Sequence, residues 1–379
     1  MAPTKAMILG CAGTALTTEE IRFFEANQPW GLILFARNIG SAEDIKSLTA
    51  SFREIVGRED APVFIDQEGG RIQRIREPIA PRYPSGGVLG AIYAQNAAQG
   101  RQAAFDMSLL HADDLLPLGI NANCLPLLDV PLPDASEVIG DRAYSDTPLA
   151  VAEMGRACAD GLLSAGVLPV MKHIPGHGRA MLDSHLALPV VDTDLKTLEA
   201  VDFLPFQLHA DLPMAMTAHV VYAAYDPDQP ATLSKTVIDR VIRGFIGFDG
   251  LLMTDDLGMH ALSGDFASRT KASFAAGCDI VLHCKGDMEE MVPVASATPY
   301  LEGKAFERAE KAIELLSKPR ARIDMVSVRE HFNQLVDTLE PTGVASAERL
   351  TLDVDADPTG DGRHGEKIAE HADGSRLAG

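Results

Sequence analysis

Eight short apolar runs recur along the chain, at 6–10, 31–36, 62–66, 120–125, 168–173, 214–219, 250–255 and 279–284. Between them lie longer stretches with helical periodicity, at 41–57, 96–116, 148–165, 195–210, 235–244 and 266–276. Runs this short and this apolar read as strands buried on both faces, and strands alternating with helices imply parallel βαβ units. Eight such units predict a closed α/β fold, a TIM-like (β/α)8 barrel. An open doubly wound sheet is the alternative, but no GxGxxG follows the first run. A second pattern favours the barrel. Arg37, Asp66, Lys172, His173, His219, Asp255 and His283 sit at the C-terminal ends of the runs, the face at which such barrels carry their chemistry.

The length of 379 residues accommodates one such barrel as a single domain. The segment 304–338 reads as helical and is expected to pack on it. Beyond Thr338 the composition changes, and residues 341–379 contain no aromatic side chain. We therefore expect a barrel over 1–338 and a disordered acidic tail over 339–379. A formal charge of -21 disfavours nucleic acid and anionic membrane surfaces, both of which need a basic face. No run approaches the ~20 apolar residues of a membrane span. The five cysteines are odd in number and form no CxxC pair. Free thiols in a reducing, cytoplasmic compartment are expected.

KHIPGHGRAMLDSH, residues 172–185, concentrates three of the eleven histidines. Two readings compete. His173 and His177 are four apart, as in a helical zinc pair, with Asp183 and His185 as further ligands. Pro175, Gly176 and Gly178 deny that pair a helix. The other reading is acid–base chemistry, in which the Asp183 carboxylate fixes the tautomer of His185 and raises its basicity. His177 then becomes a structural histidine bonded to the loop backbone. In MTDDLGM, residues 253–259, Asp255 is expected to face the barrel mouth and Asp256 to support the turn or the next helix. FIDQEGGRIQRI, residues 64–75, places Asp66 before a glycine turn and Arg71 and Arg74 after it, a set suited to hydroxyls and carbonyls. It lacks the lysine and Ser/Thr of a phosphate loop, and no cofactor is expected. In VIGDRAYSD, Arg142 stands beside Asp141, which reads as a local salt bridge.

Taken together, KHIPGHG followed by DSH, TDDLGM, DQEGGRIQR and GDRAYSD resemble glycoside hydrolase family 3. They look most like its bacterial β-N-acetylglucosaminidases of peptidoglycan recycling, the NagZ type. GLILFARNI, MTAHVVY, PATLS, GFDG and AGCDIVLHC fit the same group, and the resemblance runs from about residue 6 to about 335. It implies Asp255 as nucleophile, His185 as general acid/base and Asp183 as its partner. It also implies that Asp66, Arg74, Arg142, Lys172 and His173 hold N-acetylglucosamine, with no metal. The implied activity is a retaining exo-β-N-acetylglucosaminidase acting, as a monomer, on GlcNAc-1,6-anhydro-MurNAc and its peptides. A β-glucosidase or phosphorylase of the same family, or a non-catalytic sugar-binding barrel, are the rivals. Ile174, where phenylalanine is frequent, and GRAML in the loop depart from the pattern, and the tail has no counterpart.

Overall fold

All eight apolar runs are strands: β1 (Lys5–Leu9), β2 (Pro29–Leu34), β3 (Val63–Ile65), β4 (Ala122–Asn123), β5 (Leu168–Ile174), β6 (Met214–Thr217), β7 (Leu251–Asp256) and β8 (Ile280–His283). Each pairs in parallel with the next, and β8 returns to β1 to close the barrel. The computed structural model describes residues 3–132, 138–181, 184, 188–318, 320 and 322–339. Of the tail expected over 339–379, all but Leu339 lies outside the described residues.

The two-residue period of a strand sorts the apolar runs into two layers. Ile8, Ile33, Phe64, Ala122, Val170, Met214, Met253 and Leu282 pack together inside the barrel. Their neighbours Met7, Leu32, Val63 and Val281 point outward and pack on the helices, as do Met171, Ala215 and Leu252. Burying each such side chain contributes about 1.5–3 kcal/mol, so both faces favour one register. Extending the inner phase by two residues gives Phe35, Asp66, Cys124, Lys172, Asp255 and Cys284. Alternation alone thus aims two carboxylates and a lysine into the barrel mouth.

The helices carry local start and stop signals. Helix Ala42–Val56 opens with a capping box between Ser41 and Asp44 and ends at Gly57 with φ 62°. Pro148–Ala165 starts on proline and ends at Gly166 with φ 85°. The helix expected over 195–210 is instead three short pieces, Leu195–Thr197, Leu198–Asp202 and Leu204–Gln207. Pro205, which has no N–H to donate, prevents a continuous ladder. Segment 304–338 holds two helices, Gly303–Leu316 and Met325–Asp337. Phe332 and Leu335 of the second pack with Met107 and Leu110. No helix among the described residues is long and apolar enough to cross a membrane. All five cysteines are free thiols.

Candidate active site

Asp66 leaves the end of β3 in the inner phase, and the chain then doubles back. Gln67–Gly69 pairs antiparallel with Ile72–Gln73, and the turn passes through Gly69 and Gly70 at φ 96° and 57°, values that favour glycine. The Gln67 side chain locks this hairpin by accepting from the N–H groups of Arg74 and Ile75 at 3.1 and 3.0 Å. Glu68 and Arg74 are thereby returned to the barrel mouth beside Asp66.

A line of alternating charge results. Lys172 Nζ, from β5, lies 2.8 Å from Asp66 Oδ1 and 2.6 Å from Glu68 Oε1. Arg74 Nη2 meets Asp66 Oδ2 at 3.2 Å, and its guanidinium lies over the Phe35 ring, 5.1 Å from the centroid. Arg142 donates through Nε and Nη2 to the two oxygens of Glu68 at 2.9 and 2.8 Å. Burial would raise the Asp66 carboxyl, but the Lys172 and Arg74 charges outweigh it and hold the group well below the usual carboxylate range. Burial likewise opposes ionisation of Glu68, yet Arg142 and Lys172 bring it down to about 2. Burial would lower Lys172, and Asp66 and Glu68 reverse that, so the ammonium is held above its ordinary value. The site is therefore charged but internally neutralised, with its donors and acceptors fixed before any ligand arrives.

The expected Asp141–Arg142 pair does not form. Asp141 meets Arg71 Nε at 3.2 Å, and Arg71 Nη2 donates to the Val138 carbonyl at 2.8 Å. Arg142 reaches inward to Glu68 because the short helical turn Gly140–Arg142 points successive side chains in different directions.

Lys172 and His173 both line the pocket, although strict alternation would separate them. The ladder between β5 and β6 shifts register between Lys172 and Ile174, and the Lys172–His173 peptide is cis. Behind them lies Asp129, wholly buried. It accepts from the N–H groups of His173 and His177 at 3.2 and 2.6 Å and faces His173 Nδ1 at 2.7 Å. His177 does not bond the loop backbone through its ring, as expected from sequence. Its Nε2 meets Ser184 Oγ at 3.1 Å, and burial takes the imidazole down to about 4. Ser184 is the described residue between Asp183 and His185, and its carbonyl accepts from Ala261 N at 3.2 Å. Asp183 and His185 themselves lie outside the described residues.

Asp255 is half-buried at the end of β7, with one oxygen accepting from the Asp256 N–H at 2.8 Å. Asp256 supports the turn, as expected: its Oδ1 accepts from Gly258 N and Cys284 N, each at 3.0 Å. His219 and His283 follow the outer phase of their strands and are fully buried. His219 Nε2 donates to the Asp256 carbonyl at 2.9 Å, and its Nδ1 meets Thr232 Oγ1 at 2.7 Å. Arg37 donates to the carbonyls of Cys11 and Cys284. Arg37 and His219 thereby brace the barrel rim.

Asp66, Arg74, Arg142, Lys172, His173 and Asp255 thus line one pocket together with Met216 and Leu282. Glu68 and Asp129 are the residues the motif reading passed over. Glu68 stood inside DQEGG, and Asp129 was a lone carboxylate in the apolar run PLLDVPL. Among the described residues no group of three or more His, Cys, Asp or Glu is arranged to hold a metal ion.

Residues 7–329 match the glycosyl hydrolase family 3 N terminal domain. A beta-hexosaminidase of Alkalilimnicola ehrlichii is 42% identical over 282 residues, 73% of this chain and 80% of the relative. That of Idiomarina loihiensis is 34% identical over 310 residues, 81% of this chain and 92% of the relative. NagZ from Neisseria gonorrhoeae, solved in complex with N-trifluoroacetyl-D-glucosamine, matches the fold with a TM-score of 0.77 at 30% identity. It covers 88% of this chain and 98% of its own.

Proposed function

The chain belongs to glycosyl hydrolase family 3 as a β-hexosaminidase, and on that premise we propose that it removes terminal, non-reducing N-acetylglucosamine with retention of configuration. The observation that carries this reading is the placement of Asp255. Its carboxylate lines the same pocket as the Asp66–Lys172–Glu68–Arg142 line. The bound glucosamine derivative in the gonococcal relative supports the choice of sugar.

In this mechanism an Asp255 oxygen attacks the anomeric carbon and forms a covalent glycosyl ester as the bond to the leaving oxygen breaks. His185, oriented by Asp183, gives that oxygen its proton. It then takes a proton from the water that hydrolyses the ester, regenerating Asp255. Histidine serves both halves because its ordinary pKa lies near neutrality. Asp66, Arg74, Arg142, Lys172 and His173 hold the sugar hydroxyls and acetamido group. The natural substrate in this reading is GlcNAc-1,6-anhydro-MurNAc with or without its peptide, released during cell-wall recycling. In this reading the protein acts as a monomer with one catalytic domain over 1–338. The free thiols suit a reducing cytoplasm.

The test is a comparison of leaving groups. A nitrophenolate departs with little help from a proton, whereas a sugar alkoxide needs one. His185→Ala should lower kcat/KM on the disaccharide by at least ~100-fold more than on an aryl N-acetyl-β-glucosaminide. Asp183→Asn should give a milder version. Equal losses on both substrates would remove His185 from the role of proton donor. The same aryl panel, run with aryl glucoside and with added phosphate, separates this activity from a glucosidase or a phosphorylase.

Activity should also persist in excess EDTA, since no step needs a metal. Loss on chelation with recovery on adding Zn²⁺ would restore the metal reading of His173, His177 and His185.

A further inference from the structure

Asp129 has no access to the pocket, being 0% exposed, yet it organises two of the three histidines in the loop motif. Its Oδ1 is committed to the His173 and His177 N–H groups, and its Oδ2 faces His173 Nδ1 at 2.7 Å. Net of a burial effect that would raise it, the hydrogen bonds from the His173 ring and the His177 N–H keep this carboxyl below its ordinary value, so it stays an anion.

An ionised carboxylate only accepts hydrogen bonds, so His173 Nδ1 must be the protonated nitrogen. In the neutral ring Nε2 then carries a lone pair. Among the described residues Nε2 has no hydrogen-bond partner, and the ring lines the pocket. The neighbouring cations Lys172, Arg74 and Arg142 can only donate, and Asp66 and Glu68 can only accept. All five of these are already paired to one another.

We infer that Asp129 is a positioning residue that fixes the tautomer of His173, so that the ring offers the pocket an acceptor and selects a sugar hydroxyl that donates to it. This rests on the reading of His173 as a sugar contact. The assignment makes a specific demand on Asp129→Asn, which preserves size and removes the charge. The side-chain carbonyl oxygen must remain on the two backbone N–H groups, because the amide NH2 would otherwise confront two donors. The NH2 then falls opposite His173 Nδ1 and donates to it. The ring is forced into the other tautomer, with Nε2–H pointing into the pocket, so that a hydroxyl there must turn and accept instead of donating, giving up whatever its own lone pairs accepted before.

Nitrogen-15 NMR of the histidine rings at pH 8, with His173→Gln to identify the His173 signals, reads this directly. Wild type should show Nδ1 protonated and Nε2 bare, and Asp129→Asn the reverse. In that variant KM for the aryl N-acetylglucosaminide should rise about tenfold, the scale of one hydrogen bond reversed and a neighbouring one given up, with kcat changed less. Inhibition by monodeoxy N-acetylglucosamines should weaken about tenfold at one hydroxyl in wild type, and that contrast should be smaller in Asp129→Asn alone. A wild-type ring protonated at Nε2 overturns the inference even if the variant does not fold. An unchanged tautomer in a folded Asp129→Asn overturns it too. If His173→Gln binds N-acetylglucosamine as tightly as wild type, the sugar contact fails instead, and the tautomer result stands apart from it.

Discussion

Asp255→Ala is expected to abolish turnover almost completely, on the order of 10⁴-fold or more in kcat, while the protein still folds and still binds N-acetylglucosamine. Removing a nucleophile leaves water to attack without covalent assistance, which is why the effect should fall on kcat rather than KM. Folding should survive because Asp255 is half-buried and stands outside the alternating charge line that ties β3 to β5. Binding should survive because the proposed sugar contacts come from other strands. Calorimetric titration with N-acetylglucosamine and steady-state rates on the aryl substrate separate the two effects. A slow 2-acetamido-2-deoxy-5-fluoro substrate should trap the ester, and peptide mass analysis should place the adduct on Asp255. An adduct on another residue would move the nucleophile, and full activity in the variant would remove it.

The barrel was legible because buried parallel strands leave an unmistakable record: each apolar run became one strand, displaced by no more than a few residues. Much of the site was legible for a related reason. Phe64 and Asp66, Val170 and Lys172, and Met253 and Asp255 are pairs two apart, so once the inner layer is known the polar residue above it follows. The same parity separates His219 and His283 from the pocket, a distinction that position at a strand end alone could not make. Pairing across the chain was less visible. Arg142 finds Glu68, 74 residues away, rather than the adjacent Asp141, because the short turn Gly140–Arg142 aims successive side chains in different directions. Helix Thr18–Asn27 was missed because only Glu20, Phe23 and Phe24 of its ten residues are buried, too few to mark a periodic face. Its buried Glu20 is spent on capping, accepting from Ala12 N and Thr17 N at 2.7 and 2.8 Å. Asp129 left only a faint signal, a carboxylate where an apolar run should continue, and its partners were 44 and 48 residues away.

Lys172→Met should reverse the pH dependence of part of the protein's stability, besides lowering kcat/KM by about 10²–10³-fold through loss of a fixed donor. In wild type, Asp66 and Glu68 have folded pKa values below their unfolded ones, Glu68 at about 2. Their contribution is therefore fully present above the unfolded values near ~4 and is lost as pH falls through the folded values. Methionine fills the space of the lysine stem but brings no charge. Asp66 then keeps only the Arg74 contact at 3.2 Å, while Glu68 keeps Arg142 at 2.8 and 2.9 Å. Two buried carboxylates face each other where an ammonium stood between them, so burial and repulsion push one, most directly Asp66, above its unfolded pKa. Folding now takes up a proton instead of releasing one. The sign follows: the variant's deficit, about 2–4 kcal/mol at pH 8 for a buried pair broken on one side but still partly compensated by arginine, should shrink as pH is lowered toward 5. Urea denaturation of both proteins across pH 5–8 measures the difference. A deficit that stays constant over that range would mean the ammonium contributes packing alone, and that Arg74 and Arg142 suffice to keep both carboxylates ionised.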